Sequence, residues 1–137
     1  MRTTTVVKIQ INVIQPTQIR IDKKYDHVIV PGIDGDFGIS FDHTPFITKI
    51  RTGVLQLFQN ETCEEYAIHD GFVTVENNVI KIVCDTIEKK DEIDIARAKA
   101  SKERAEGRLK SSKENINFRR AEASLKKALV RLELKSD

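Results

Sequence analysis

Phe72-Val73-Thr74-Val75-Glu76-Asn77-Asn78-Val79-Ile80-Lys81-Ile82-Val83 is the stretch on which the fold class turns. Two runs rich in β-branched residues flank Asn77-Asn78, and asparagine tolerates the left-handed dihedrals that a tight hairpin turn requires. Upstream, Val7, Ile9, Ile11 and Val13 alternate with Lys8, Gln10 and Asn12, the period of a half-buried strand, and Pro16 ends it. Further strand-type runs occupy 19–21, 28–30, 46–50, 54–58 and 66–68, separated by Pro31-Gly32, Asp34-Gly35, Thr52-Gly53 and Asp70-Gly71. Strands repeating at short intervals with turn residues between them predict a sandwich or barrel.

The pattern changes near residue 88. Phe118, Ala121, Leu125, Ala128 and Leu132 follow a 3-4-3-4 spacing, a single apolar seam on a helix. Ala98, Ala105 and Leu109 give an earlier helix a weaker, alanine-rich seam, and Gly107 inside it costs up to ~1 kcal/mol relative to alanine. Ser111-Ser112-Lys113-Glu114-Asn115 reads as the connection, with Ser112 or Asn115 as N-cap. The expectation is an α+β chain: an N-terminal all-β sandwich over residues 1–87, then a C-terminal antiparallel α-helical hairpin over residues 88–137. Neither helix has a broad apolar face, so the hairpin should hold only weakly to what it packs on. That makes it a candidate moving part.

Charge is distributed unevenly. Residues 1–87 carry 8 Lys/Arg against 11 Asp/Glu, a net −3, and residues 88–137 carry 15 against 10, a net +5. An acidic body with a basic tail suits a negative partner or, more plainly, a solvated helical surface. Nucleic acid is disfavoured as that partner, because no aromatic stacking platform accompanies the cations. No apolar run approaches the ~18–20 residues needed to span a bilayer. Met1-Arg2-Thr3-Thr4-Thr5 leads straight into a strand pattern without a signal-peptide core, which gives a cytosolic expectation. Cys63 and Cys84 are too few for a zinc motif and are expected as reduced thiols.

The body offers no catalytic constellation. Asp34-Gly35-Asp36-Phe37-Gly38 lacks the Lys-Ser/Thr of a phosphate-cradling loop and reads as a turn between strands. His27, His43 and His69 are scattered, with no cysteine or carboxylate at ligand spacing, so no metal site is expected. No nucleophile elbow surrounds any serine, and the chain is not expected to be an enzyme by itself.

The tail differs. On a helix, Asp94, Arg97, Ser101 and Arg104 form one stripe, and Lys127 and Arg131 are i,i+4 neighbours on the next helix. Folding the two antiparallel about residue 112 sets position 97 opposite roughly 127 and brings Arg131 beside Ile93 and Asp94. Arg97, Lys127 and Arg131 then converge, with Arg104 about two turns, ~10 Å, further along. Cations held together need anions: either Asp94, Glu92 and Glu88 neutralise them, or a bound phosphate chain does.

Several passages together resemble the epsilon subunit of the bacterial F-type ATP synthase, over essentially the whole length. They are Val30-Pro31-Gly32 through Gly35-Asp36-Phe37-Gly38, Asp42-His43-Thr44-Pro45, Thr52-Gly53-Val54-Leu55, Asp70-Gly71-Phe72-Val73-Thr74-Val75, Asp85-Thr86 and Ile93-Asp94-Ile95-Ala96-Arg97-Ala98. The resemblance implies a non-catalytic rotor subunit that needs no cofactor and lies peripherally at the cytoplasmic face of the cell membrane. Its sandwich would contact the gamma subunit and the membrane-embedded c-ring, with Asp36 and His43 near the c-ring loops. Its hairpin would lie folded, or extend into the catalytic alpha/beta head and obstruct ATP hydrolysis, with Arg119, Arg120, Lys126, Lys127 and Arg131 facing an acidic segment there. The resemblance further implies ATP as a regulatory ligand of the folded hairpin, through Glu88, Ile93, Asp94, Arg97, Ala98, Arg104, Lys127 and Arg131. Lys127 replaces an arginine of the family pattern, which keeps the charge but loses the planar fork. Two further departures are Phe41, where relatives often have proline, and His69-Asp70, where many have Ser-Gly. The competing expectation is a passive subunit whose tail stiffens the stalk without sensing nucleotide.

Overall fold

The computed structural model describes residues 7–111 and 115–136. Eight strands come first: β1 (Ile9–Gln15), β2 (Gln18–Tyr25), β3 (His27–Gly32), β4 (Gly35–Ile39), β5 (Phe46–Ile50), β6 (Gly53–Gln59), β7 (Thr62–Glu76) and β8 (Val79–Lys89). A single 3-10 turn over Lys90–Glu92 leads into α1 (Ile95–Ser111) and α2 (Asn115–Lys135). This is the sandwich followed by a helical hairpin. Met1–Thr5 and the candidate cap Ser112 lie outside the described residues, as do Lys113 and Glu114, and Asn115 is the first residue of α2.

The Asn77-Asn78 hairpin forms as its chemistry dictates. Both asparagines have positive φ, 51° and 63°, and Glu76 pairs with Val79 across the turn. From that turn β8 pairs antiparallel with β7 along its whole length, back to Tyr66, apart from the Asp70/Asp85 rung. Asp70-Gly71 is therefore not a turn, as the sequence suggested, but a kink inside β7. Asp70 sits at φ 48° and resets the alternation: Tyr66 and Ile68 face the core before it, Val73 and Val75 after it. β8 shifts phase in step, with Ile80, Ile82 and Cys84 inward and then Ile87. The kink carries both strands from one layer into the other.

In the first layer β2, β1, β8, β7 and β5 are neighbours, and in the second β7 pairs with β6, β6 with β3 and β3 with β4. The core between them is aliphatic, with Ile11, Val13, Val28, Val30, Leu55, Leu57, Ile68, Val73, Ile80 and Ile82 all fully buried. The glycine-rich stretch read as a turn supplies β4, because Gly35 at φ 134° reverses the chain and lets Asp36–Ile39 pair back onto β3. Both cysteines are free thiols, Cys63 exposed and Cys84 buried, and burial pushes the Cys84 thiol up to about 11.

The hairpin packs through small residues. Ala98 and Ala105 of α1 and Ala121 and Ala128 of α2 are all buried, and methyl-sized side chains let two helices approach closely. Phe118, expected in this seam, stays exposed. A second stripe of α2 does the docking. Leu134, with Val130, packs on Ala67 of β7, Val54 of β6 and Ile93 in the junction. Sandwich and hairpin thus meet over a patch of about five apolar residues near the C-terminal end of α2. No described helix is long and apolar enough to cross a membrane.

Gly71 marks where β7 and β8 approach most closely. A Cβ there would collide with the Val83 carbonyl oxygen and stand 2.9 Å from the Cys84 Cα, both backbone atoms of the paired strand. Gly71→Ala is expected to lower the urea unfolding midpoint, with a stability loss of roughly 1–3 kcal/mol.

Candidate functional site

β8, the 3-10 turn, the start of α1 and the end of α2 meet at the base of the hairpin. Asp94 is the N-cap of α1: its carboxylate accepts from the Arg97 backbone N–H at 3.2 Å, and its carbonyl accepts from Ala98 N. That cap fixes the phase of the helix. Arg97 and Ser101 then fall on the face looking toward Glu88, and Ala98 turns inward against α2. Leu134 docking sets the phase of α2, and one turn earlier Arg131 reaches back to β8.

Glu88 is the hub. Its Oε1 accepts from Arg131 Nε at 2.5 Å and from His69 Nε2 at 3.1 Å. The hydrogen bond from His69 above all, then that from Arg131 with its charge, pushes the Glu88 carboxyl down to about 2 against the opposing effect of burial. Glu92 is committed elsewhere, accepting from Arg20 at 2.6 Å and from the Lys89 backbone N–H at 3.0 Å. Arg20 also donates to the Ile87 carbonyl, and Lys135 donates to the Lys90 carbonyl at 3.0 Å, so β2 and the end of α2 clamp the junction from two sides.

These groups surround a cavity of about 170 Å³ lined by Glu88, Glu92, Asp94, Arg97, Ala98, Ser101 and Arg131. Every carboxylate on its wall is already engaged, two by cations and one as a helix cap. The Arg97 guanidinium has no carboxylate partner among the described residues, and Arg131 commits only Nε. The free donors facing the space are therefore cationic, which suits an anion. Ligand pockets commonly run ~300–1,000 Å³, so this volume suits a phosphate chain with the rest of a larger ligand lying over the rim.

The sequence-derived residues divide here. Glu88, Asp94, Arg97, Ala98 and Arg131 line the one cavity. Ile93 lies beneath it, buried against Ala67 and Leu134, and holds the junction rather than facing the space. Arg104 stands just outside and donates to Ser101 at 3.2 Å. Lys127 does not line the cavity, so the convergence drawn from helical spacing reaches Arg97 and Arg131 and leaves Lys127 aside.

Asp36 pairs with Arg51 at 2.5 Å. His43 bonds the Thr44 carbonyl through Nδ1 at 2.8 Å and packs its ring on Phe46, which in turn meets Phe37 next to Asp36. Arg119, Arg120 and Lys126 are exposed on α2, Lys126 near Glu122 at 3.7 Å. No cluster of metal-ligating side chains occurs among the described residues.

Sequence reasoning missed His69. It pairs with Thr86 and sits diagonal to Glu88, which faces Ala67 across the ladder. Nineteen residues separate His69 from Glu88, and the Asn77-Asn78 turn alone sets their register, so counting outward from that turn would have found the pair.

The family model for the ATP synthase delta/epsilon chain beta-sandwich domain matches residues 8–90, and that for the long alpha-helix domain matches residues 91–135. The chain belongs to the ATP synthase delta/epsilon family. It is 37% identical over 123 residues to the ATP synthase epsilon chain of Desulforamulus reducens, covering 90% of this chain and 93% of that one. It is 42% identical over 111 residues to that of Symbiobacterium thermophilum, covering 81% and 80%. Two solved structures share the delta/epsilon fold. One is a chain of the Euglena gracilis mitochondrial ATP synthase (OSCP/F1/c-ring), with TM-score 0.84, 17% identity and coverage of 98% and 85%. The other belongs to the Tetrahymena thermophila mitochondrial ATP synthase central stalk/c-ring, with TM-score 0.61, 12% identity and coverage of 96% and 99%.

The depressed Glu88 carboxyl gives this member of the family a signed pH dependence. A group whose folded value lies below its usual 4.5 stabilises the fold above that pH and loses the contribution as pH falls toward 2. Amide-exchange protection of α2 is expected to decline over that window in wild-type, and to be weaker and flat across it in Glu88→Gln.

Proposed function

We propose that the chain is a non-catalytic central-stalk (rotor) subunit of an F-type ATP synthase that helps couple ion translocation to ATP synthesis. It would sit peripherally at the cytoplasmic face of the cell membrane, against the gamma subunit and the c-ring. Its hairpin binds ATP when folded and, when extended into the catalytic alpha/beta head, inhibits ATP hydrolysis. Family membership supports the rotor role, as do relatives named as epsilon chains and structural neighbours described as central-stalk and c-ring assemblies.

The observation that carries the nucleotide reading is the imbalance in the cavity, where the Arg97 guanidinium and the terminal nitrogens of Arg131 have no partner among the described residues while all three carboxylates are engaged. ATP bridging Arg97 of α1 and Arg131 of α2 would hold the folded form by RT ln(1 + [ATP]/Kd). That is ~1.4 kcal/mol at tenfold saturation, enough to shift a balanced switch about tenfold. The docking patch of Ala67, Val54, Ile93, Val130 and Leu134 is small, so little apolar area opposes release. Once released, Arg119, Arg120 and Lys126, already solvent-facing, would meet acidic residues of the head.

A second surface supports a protein partner for the sandwich. Ile19, Ile14, Val83 and Phe72 are successive cross-strand neighbours on β2, β1, β8 and β7, and Ile47 lies beside them on β5. Exposures of 66% for Ile19, 49% for Val83, 55% for Phe72 and 69% for Ile47 leave this apolar stripe open. We assign it to the gamma contact.

Two measurements test the proposal. Removing residues 88–137 from the reconstituted complex is expected to raise ATP hydrolysis severalfold while coupling persists. Unchanged hydrolysis with weakened assembly would favour the passive stiffening role. Phe72→Ser is expected to weaken capture of the chain by the gamma subunit about tenfold while leaving the unfolding midpoint of the isolated chain nearly unchanged.

A further inference from the structure

His69 is the only buried polar or charged side chain of the described residues, with 0% exposure. Core-facing Ile68 precedes it on β7, so its ring turns outward to the face where α2 lies. Only one of its two nitrogens is engaged. The Glu88 carboxylate is an acceptor, so Nε2 carries the hydrogen, and in the neutral ring Nδ1 presents a bare lone pair. That Nδ1 is buried and has no hydrogen-bond partner among the described residues.

Glu88 Oε1 serves His69 and Arg131 together, so one carboxylate answers two donors from two parts of the molecule. An anion in the cavity would compete with Glu88 for Arg131. Losing that cation would leave Glu88 partly buried with the His69 Nε2–H as its sole side-chain donor, a costly arrangement for a carboxylate. A proton from solvent can correct it. Nδ1 accepts a proton without breaking any existing bond, and the Nε2 hydrogen bond to Glu88 becomes charge-assisted. An imidazole with both nitrogens engaged would have to give up a contact first. The new Nδ1–H would be buried without an acceptor, a cost that the charge-assisted bond to Glu88 has to exceed.

We infer that His69 is the positioning and proton-accepting residue that balances Glu88 whenever an anion draws Arg131 away. Ligand exchange at the base of the hairpin is thereby coupled to uptake of a proton at His69 Nδ1. Glu88 on β8 contacts the ring, Arg131 on α2 shares that carboxylate, Asp70 follows His69 along β7, and Lys127 lies one helical turn before Arg131. On the other side β6 brings Gly53 and Val54 to this level, opposite Ile68 and Ala67, and no charge. The anion in this scheme is the nucleotide phosphate of the proposed function, and that part rests on the earlier reading.

The core of the inference is tested without nucleotide. The ring nitrogens of His69 are followed by 15N NMR against pH in the full chain, with His27 and His43 as internal references. Arg131→Ala is expected to move the His69 titration midpoint up by about one pH unit, a tenfold gain in proton affinity. Placing the same substitution in a Glu88→Gln background is expected to abolish that shift. An unchanged or lowered midpoint in Arg131→Ala overturns the inference. So does an upward shift that persists with Glu88→Gln, because undocking rather than Glu88 would then be its cause.

ATP titration calorimetry in two buffers of different ionisation heat supplies the second arm. Wild-type is expected to take up a fraction of a proton per ATP near neutral pH, and His69→Gln almost none. ATP binding with equal heat in both buffers overturns the coupling. Absence of ATP binding sinks the nucleotide reading instead, and the NMR result then decides the inference by itself.

Discussion

One oxygen atom, Oε1 of Glu88, joins the two halves of this molecule. It accepts from His69 within the sandwich and from Arg131 at the end of the hairpin. The shared carboxylate exists because of the β7–β8 register. The Asn77-Asn78 turn sets that register, and the kink at Asp70 turns His69, Ala67 and Glu88 to the face where α2 docks. Arg131 reaches Glu88 because Leu134 is buried one turn further along. Strand register, helix phase and ion pairing thus depend on one another, and a slip in any of them would strand a charge.

The interface so held is small, and that suits a movable part. Its apolar content is about five side chains, far less than the sandwich core buries. Among the described residues its polar ties include Arg131 to Glu88, Lys135 to the Lys90 carbonyl and Arg20 to Glu92. Only two residues, Ile93 and Asp94, separate the 3-10 turn from α1, so any hinge must lie close to the cavity. Arg97 and Arg131 come from different helices, so an anion held by both bridges the hairpin across its open side. Such a ligand acts on the folded form alone and can shift a balance only by that difference in affinity.

Much of this was legible in the residues. Period-two alternation in β1 and the Asn-Asn turn pointed to the sandwich, and the 3-4-3-4 seam from Phe118 to Leu132 with the alanine-rich seam before it pointed to the hairpin. Asp94, Arg97 and Ser101 at helical spacing foretold one wall of the cavity. What escaped was long-range. Asp70-Gly71 carries turn chemistry, yet tertiary pairing on both sides kept β7 continuous and used the left-handed residue as a corner. Gly35–Ile39 lacks β propensity and forms a strand because β3 offers it a partner. Phe118 fitted the seam but lies toward the hairpin tip, away from the docking patch, while Leu134, outside that seam, became the anchor. His69 looked isolated because its partner is near only in three dimensions.

The most direct measurement is an ATP titration of the isolated full chain, reading the side-chain Nε–H signals of Arg97 and Arg131 together with amide protection along α2. Both arginine signals are expected to move in one saturable step, Arg131 to show weakened coupling to Glu88, and α2 to gain protection. Arginine signals that stay fixed at millimolar ATP, or a loss of α2 protection on binding, would contradict it.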